Sequence, residues 1–119
     1  MKILYSNPPW WHGQDERGQW TAGVRAGSRW PFLQGTRSQP DRPVAGEYVP
    51  YPFFLGFAAS YLRQAMPDVE VHFRDSIALR DGYQRFASVL HVLHPDFLVV
   101  EAATPSWEHD ASIVRWFKA

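Results

Sequence analysis

Two short segments, Asn7-Pro8-Pro9 and Thr104-Pro105-Ser106, carry groups that suit a polar ligand. The first segment follows an apolar run at the start of the chain, and the second follows an apolar run near its end. Proline followed by serine is an ordinary start for a helix, and hydroxyls beside free helix N-terminal amides can bind a polar or phosphate-bearing group. The predicted binding residues are Asn7, Pro8, Pro9, Thr104, Pro105 and Ser106.

A segment rich in glycine and arginine supplies further candidate contacts. Between Gly23 and Phe32, two arginines, two glycines and a Trp-Pro-Phe cluster could clamp an anionic, flat or apolar ligand. The aromatic side chains would equally suit packing on a partner domain, and the sequence does not separate these alternatives. The candidate contacts in this segment are Arg25, Ser28, Arg29 and Trp30.

Other chemistries are poorly supported by the residues. Gly18 and Gly23 have the spacing of a Walker A loop, but Val24-Arg25 follows where lysine and serine or threonine are needed, and no G-x-G-x-x-G occurs. His91 and His94 could share a metal ion on one helix face, but no further ligand is tied to them by spacing. Two solvated histidines at the end of a helix are the simpler interpretation, so we predict no metal site.

Composition narrows the class of protein. The chain has 119 residues, a formal net charge of zero and no cysteine. A net charge of zero does not indicate binding to nucleic acid or anionic lipid. The lack of cysteine excludes disulfides and cysteine-ligated clusters in this chain. No apolar stretch approaches the ~20 residues of a membrane span. We therefore expect a single cytoplasmic domain that binds neither nucleic acid nor membrane.

The elements that must position these residues alternate between strands and helices. A buried first strand ends at Asn7-Pro8-Pro9, because consecutive prolines cannot continue a ladder. The next part, 7–51, has no sustained period and contains four of the six tryptophans, which is typical of an elaborated binding loop.

The second part, 52–119, is a compact alternating unit. It begins with a helix whose apolar positions Phe54, Phe57, Ala58, Tyr61, Leu62 and Ala65 share a face. A strand at 69–73, a helix at 82–93, a strand at 97–100 and a last helix from Ser106 follow. We predict that the second strand lies nearer the sheet edge than the first, and that the last strand is covered on both faces.

This order predicts an α/β fold, a Rossmann-like parallel sheet with flanking helices. Only three strands are visible where such domains usually have five or more. We therefore expect a truncated sheet in a chain that is a fragment of a longer protein. Ligands of such sheets bind at the carboxyl ends of the strands, so the two polar segments should line one crevice.

Taken in order, the motifs resemble a known family. An opening Lys-Ile-Leu-x-x-Asn-Pro-Pro, a loop with Gly-Val-Arg-Ala-Gly-Ser-Arg-Trp-Pro-Phe, then Tyr-Val-Pro-Tyr-Pro-Phe-Phe-Leu, and finally Pro-Asp-Phe-Leu-Val-Val-Glu-x-x-Thr-Pro-Ser span nearly the whole chain. The chain is similar to the N-terminal cobalamin-binding domain of cobalamin-dependent radical S-adenosylmethionine enzymes.

The resemblance implies a cofactor and a partner. Cobalamin would bind at the carboxyl edge of the sheet, with Asn7, Pro8, Pro9, Thr104, Pro105 and Ser106 lining the corrinoid pocket. The iron–sulfur cluster and S-adenosylmethionine would belong to a C-terminal catalytic domain, so this chain alone should be catalytically silent. The chain lacks Asp-x-His-x-x-Gly, by which other corrinoid proteins supply a histidine to cobalt. The alternative is a stand-alone interaction or regulatory module that uses the tryptophan-rich loop.

Overall fold

The computed structural model describes residues 1–14, 20–23, 32–34 and 51–118, and it contains a parallel and an antiparallel sheet. The candidate contacts Arg25, Ser28, Arg29 and Trp30 lie outside these residues. The parallel sheet consists of β1 (Lys2–Asn7), β5 (Glu70–Asp75) and β6 (Phe97–Val100), in the order β5-β1-β6. Its helices are α1 (Phe53–Ala65), α2 (Tyr83–Leu93) and α3 (Trp107–Lys118). The predicted α/β, Rossmann-like fold is confirmed.

The first strand is the centre of the parallel sheet. It pairs with β5 from Lys2↔Glu70 to Asn7↔Asp75, and with β6 from Ile3↔Phe97 to Ser6↔Val100. The prediction that the second strand of the sheet lies nearer the edge than the first is therefore confirmed. The prediction that the last strand is covered on both faces is confirmed in part: Val99 packs against the cluster under α1 and Leu98 against the cluster under α2, whereas Phe97, at the start of this edge strand, is exposed.

The helices cover opposite faces of this sheet. On one face, α1 packs Leu55 and Ala59 against Ile3, Tyr5 and Val71. On the other face, α2 buries Phe86 and Leu90 against Leu4, and Ile113 and Phe117 of α3 complete that cluster. Since α1 leads away from the end of β1 on one face and α3 leads away from β6 on the other, the carboxyl ends of β1 and β6 form the switch point of the sheet.

The burial of α1 differs from the prediction. The spacing of Phe54, Phe57 and Tyr61 is helical, but this face points away from the sheet and the three side chains are 76%, 67% and 74% exposed. The sheet face beneath α1 already carries Ile3, Tyr5 and Val71, so the helix approaches it through the smaller Gly56 and Ala59 together with Leu55. The helix is therefore left with an uncovered aromatic surface.

The segment predicted as a loop contains a second sheet. Strands β2 (Trp11–Gln14), β3 (Trp20–Ala22) and β4 (Phe32–Gln34) pair antiparallel in the order β2-β3-β4. They are only three or four residues long, which is too short for a recognisable period of two. Gly23 donates its N–H to the Trp10 carbonyl (3.0 Å), and a Cβ at this position would lie 2.2 Å from the Trp10 ring. Glycine is therefore required where the antiparallel sheet meets the Trp10 side chain.

The outer strand β5 has polar side chains on the face that α1 does not cover. His72 Nε2 lies 2.7 Å from Glu70 Oε1, and this hydrogen bond lowers the pKa of the Glu70 carboxyl below its usual value. Charged side chains on an edge strand discourage further strand pairing. By contrast, the edge strand β6 is entirely apolar.

The central position of β1 gives a test of the fold. Replacing Leu4 by alanine should lower the free energy of unfolding by about 2–5 kcal/mol, because the side chain is buried between β1 and the helices α2 and α3. The matched control is Val92→Ala, at an exposed position of α2, which should change it by no more than about 0.5 kcal/mol. Urea unfolding followed by circular dichroism measures both, and similar values for the two variants would contradict the packing.

Candidate functional site

Each strand of the parallel sheet leads into a polar side chain at its carboxyl end. Asn7 ends β1, Asp75 ends β5, and Glu101 directly follows β6. Asn7 and Asp75 are register partners, and Ser6 pairs with Val100, so extending that register by one residue places Glu101 beside Asn7. The ends of β1 and β6 are therefore adjacent, as predicted, and a row of three polar residues crosses the sheet.

Asn7 and Asp75 stabilise each other and the turn that follows β5. The Asn7 side-chain amide donates to Asp75 Oδ1 (3.0 Å), and the same oxygen accepts the N–H groups of Ile77 (3.1 Å) and Ala78 (3.2 Å). The N–H of Ser76 donates to the Asn7 carbonyl (2.9 Å). A buried amide and carboxylate that satisfy each other hold the strand ends together and are not available to a ligand.

The prolines after Asn7 also have an internal role. Pro8 and Pro9 lie at the carboxyl end of β1, where the sequence places them, but both side chains are fully buried. They lack an N–H, so they end the ladder without leaving an unpaired donor inside the protein. Asn7, Pro8 and Pro9 thus close the carboxyl end of β1 from inside the protein.

Ser106 likewise bonds within its own loop. Thr104–Ser106 forms a short 3₁₀ turn before α3, and Ser106 is buried. Its Oγ accepts the N–H of Ala103 (2.9 Å) and donates to the carbonyl of the same residue (3.1 Å). The last helix begins directly after Ser106, and the Ser106 hydroxyl closes the turn that precedes it. Thr104 and Pro105 are exposed.

The exposed part of this turn borders a hollow. The hollow has a volume of ≈ 320 Å³ and is lined by Ala102, Ala103, Thr104 and Trp107. All four side chains are uncharged, and Trp107 is exposed. A surface made of small side chains, one hydroxyl and an indole suits a flat, largely neutral ligand.

A network of aromatic and polar contacts, the Trp10 network, joins the segment after β1 to α2 and α3. Its members are Trp10, Trp11, Tyr83, His109 and Asp110. The Trp10 ring stacks on His109 of α3 at 5.3 Å between ring centroids. The Trp11 N–H donates to the Tyr83 hydroxyl (3.3 Å), which lies 3.3 Å from His109 Nε2. His109 Nδ1 lies 3.4 Å from Asp110 Oδ1. Because a carboxylate can only accept, the matching tautomer of a neutral His109 donates a hydrogen bond from Nδ1 to Asp110. Its Nε2 then accepts a hydrogen bond from the Tyr83 hydroxyl.

A buried ion pair organises the loop between β5 and α2. Arg74 makes two hydrogen bonds to the fully buried Asp81, from Nε to Oδ2 (2.7 Å) and from Nη2 to Oδ1 (2.8 Å). The Asp81 N–H donates to the Ser76 carbonyl (2.8 Å), and the Trp11 indole donates to the Asp81 carbonyl (2.9 Å). This loop therefore fixes the position of the Trp10 network.

Two buried polar atoms at this edge have no hydrogen-bond partner within the described part of the chain. They are the hydroxyl of Ser76 and Oε2 of Glu101. Buried polar groups in proteins are nearly always hydrogen-bonded, so each such atom needs an explanation. Neither residue was selected from the sequence as a site residue, although each directly follows a strand of the parallel sheet, which is the signal that could have identified them.

The described residues form no metal centre. The rings of His91 and His94 are 5.3 Å apart between centroids, at the end of α2 remote from the carboxyl edge. Among the described residues, no group of three or more histidine, aspartate or glutamate side chains could hold an ion. His109, the histidine at the carboxyl edge, is hydrogen-bonded within the Trp10 network.

The Asp81 ion pair can be tested by removing its charge. Asp81→Asn should lower the free energy of unfolding by about 3 kcal/mol, because the Arg74 guanidinium loses its counterion in a largely buried setting. The control is Arg85→Gln, which removes a 62% exposed arginine 3.3 Å from the same carboxylate and should cost no more than about 1 kcal/mol. Chemical denaturation measures both, and equal effects would show that the pair does not organise the loop.

The Trp10 network predicts a local change in exchange. In Tyr83→Phe the Trp11 amide loses its acceptor, so its hydrogen exchange should become about five times faster, as expected for a net hydrogen-bond contribution of about 1 kcal/mol. Residue-resolved amide exchange by NMR measures this rate. Tyr61→Phe, on the exposed face of α1, is the control and should leave it unchanged. An unaltered Trp11 rate in Tyr83→Phe would argue against the contact.

Comparisons with known proteins found no protein similar to this chain. No family model, no curated protein and no solved structure matches this chain. None of the helices among the described residues has both the length and the apolar character needed to cross a membrane. Any function must therefore be inferred from the fold and from the residues at the carboxyl edge of the sheet.

Proposed function

We propose that this chain is the cobalamin-binding part of a radical S-adenosylmethionine enzyme and positions the corrinoid for a catalytic domain. The observation that carries the proposal is the adjacency of β1 and β6, which brings the Asn-Pro-Pro and Thr-Pro-Ser segments to one edge of the sheet. These are the first and last of the motifs by which the sequence resembles that family. In a parallel α/β sheet, this switch point is the usual place for a ligand.

The residues at the edge are compatible with a corrinoid. The hollow beside Thr104 is uncharged and includes the exposed Trp107 indole, which suits the face of a large conjugated ring. Asn7, Pro8 and Pro9 would support the ring from below rather than bond to it, because they are buried. When bound, cobalamin would supply an organometallic centre for methyl transfer or rearrangement, whereas the protein supplies position and exclusion of water.

A corrinoid is larger than this hollow, so the chain would cover only one side of the ring. The remaining side would face the C-terminal radical S-adenosylmethionine domain, which would carry the iron–sulfur cluster. His109 would not be the ligand to cobalt, because its two ring nitrogens face Tyr83 and Asp110. The proposal therefore has the domain hold cobalamin without supplying a histidine to the metal.

A protein-interaction module is the second candidate, and the surface of α1 favours it. Phe53, Phe54, Phe57 and Tyr61 are all exposed on this helix, and exposed aromatic patches commonly mark interfaces. The interface would then include α1, while Trp10 and Trp11 of the tryptophan-rich loop contact His109, Tyr83 and Asp81 within the domain. Such a module would not require a cofactor.

Corrinoid binding by the 119-residue chain decides between these candidates. After mixing with hydroxocobalamin and gel filtration, the protein should retain a red chromophore with a shifted spectrum. The variant Ala102→Trp, which places an indole in the hollow, should reduce retention at least about tenfold through steric overlap. Ala58→Trp, at an exposed position of α1, is the matched control and should bind like the wild type.

The outcomes differ clearly. Colourless, folded protein would contradict the proposal and support the interaction module. Retention that is the same in Ala102→Trp and Ala58→Trp would place the corrinoid elsewhere on the chain.

A further inference from the structure

A groove lies between α2 and the outer strand β5, on the face of the sheet that α1 does not cover. Helix α2 packs over Leu4 of β1, and the buried cluster that it forms there includes no residue of β5. The space left beside it has a volume of ≈ 460 Å³, which is within the range of small-molecule sites. This space, the α2 groove, is lined by Lys2 and Leu4 of β1, by 72–74 of β5, and by one side of α2 from Arg85 to Leu93.

The α2 groove combines an apolar floor with a cationic wall. Leu4 is buried beneath it, Val89 and Leu93 are half-buried on the α2 side, and Val92 is exposed at the rim. Among the described residues that line the groove, three are permanent cations and none is acidic. An apolar surface beside positive charges suits a molecule that has both an aliphatic part and an anionic group.

One positive charge is left over at the end of the groove nearest the carboxyl edge of the sheet. Arg74 and Arg85 share a single carboxylate, that of Asp81. Arg74 donates to it from Nε (2.7 Å) and Nη2 (2.8 Å), and Arg85 Nε lies 3.3 Å from Oδ1. Arg85 is nevertheless 62% exposed, because it lies at the surface of α2. Its guanidinium is therefore accessible to an anion in the groove.

The other end of the groove is closed, and its charges are balanced. Lys2 Nζ donates to the Leu93 carbonyl (3.2 Å), where α2 ends. The hydrogen bond to His72 and the charge of Lys2 both lower the pKa of the Glu70 carboxyl, so Glu70 supplies a negative charge beside Lys2. Arg85 and Leu93 are separated along α2 by a rise of about 12 Å. An anionic head group is therefore favoured at Arg85, with the aliphatic part extending toward Leu93.

We propose that the α2 groove binds a small amphipathic monoanion, an aliphatic carboxylate whose head group pairs with Arg85. Its chain lies along Val89, Val92 and Leu93. The guanidinium fork of arginine matches the two oxygens of a carboxylate, and a single negative charge matches the one that two arginines and one aspartate leave uncompensated. The groove shares no lining residue with the hollow beside Thr104, so this inference goes beyond the proposed function and does not depend on it.

Titration of the 119-residue chain with octanoate, below its micelle concentration, tests the site. Amide NMR should show saturable shifts at His72 and along α2 from Arg85 to Leu93. Octanol, which lacks the charge, should bind about fivefold more weakly, as expected for a partly exposed ion pair. Butyrate, with its shorter chain, should bind at least about tenfold more weakly, because it buries fewer methylenes. The absence of saturable shifts, or shifts confined to residues outside the groove, would overturn the inference.

Removing the charge of Arg85 tests the position of the head group. Arg85→Gln should weaken octanoate binding about fivefold and leave octanol binding unchanged. The matched control is Arg115→Gln, which removes an exposed arginine of α3 that does not line the groove and should bind octanoate like the wild type. Equal octanoate affinities in these two variants would contradict the pairing with Arg85.

Filling the groove tests the position of the chain. Ser88→Trp places an indole in the groove and should weaken octanoate binding at least about tenfold through steric overlap. Ser112→Trp is the matched control, since both serines are exposed on a helix and bond to a carbonyl of the preceding turn, at 3.0 Å in Ser88 and 2.6 Å in Ser112. Circular dichroism checks that both variants fold. Equal affinities of the folded variants would place the ligand elsewhere and overturn the inference.

Discussion

The site depends on one constraint, the position of β1 between two parallel partners. Because β5 and β6 both pair parallel with β1, the three strands run in the same direction and end at the same edge. That requirement brings together Asn7, Asp75 and Glu101, which are far apart in sequence. The chain crosses from β5 over β1 to reach β6 through α2, and this crossing places α1 and α2 on opposite faces of the sheet. The adjacency of the carboxyl ends of β1 and β6 is a consequence of this strand order.

The buried polar groups near this edge fall into two sets: a frame of groups that are hydrogen-bonded to one another, and atoms that have no partner among the described residues. The frame consists of Asn7 with Asp75 and of Arg74 with Asp81, where each buried charge or amide has a matched partner. These bonds fix the loops after β1 and β5, and the Trp10 network joins them to α3. Outside this frame, the Ser76 hydroxyl and Glu101 Oε2 are buried without a hydrogen-bond partner among the described residues.

Local patterns predicted the elements well and their surroundings less well. Apolar runs bounded by proline located β1, β5 and β6, and Pro67 and Pro95 follow the ends of the first two helices as expected. Periodicity identified α1 but not its buried face, because a helix with apolar residues all around offers more than one face to the sheet. The last helix shows the same limit. Trp107, Ala111 and Val114 recur at helical spacing, but Ile113 and Phe117 complete the core and Trp107 is exposed.

The sequence by itself determined the α/β class, the three parallel strands and the end of the first strand at Asn7, since these follow from apolar runs and from prolines that cannot continue a ladder. Tertiary structure alone decided which polar groups at that edge are hydrogen-bonded within the protein. Asn7 and Ser106 have the side chains of binding residues, but folding places each within 3.1 Å of a partner in the protein. Glu101 Oε2 has no such partner among the described residues. The sequence could not show this difference, because hydrogen-bond satisfaction depends on atoms that meet only when distant strands pair.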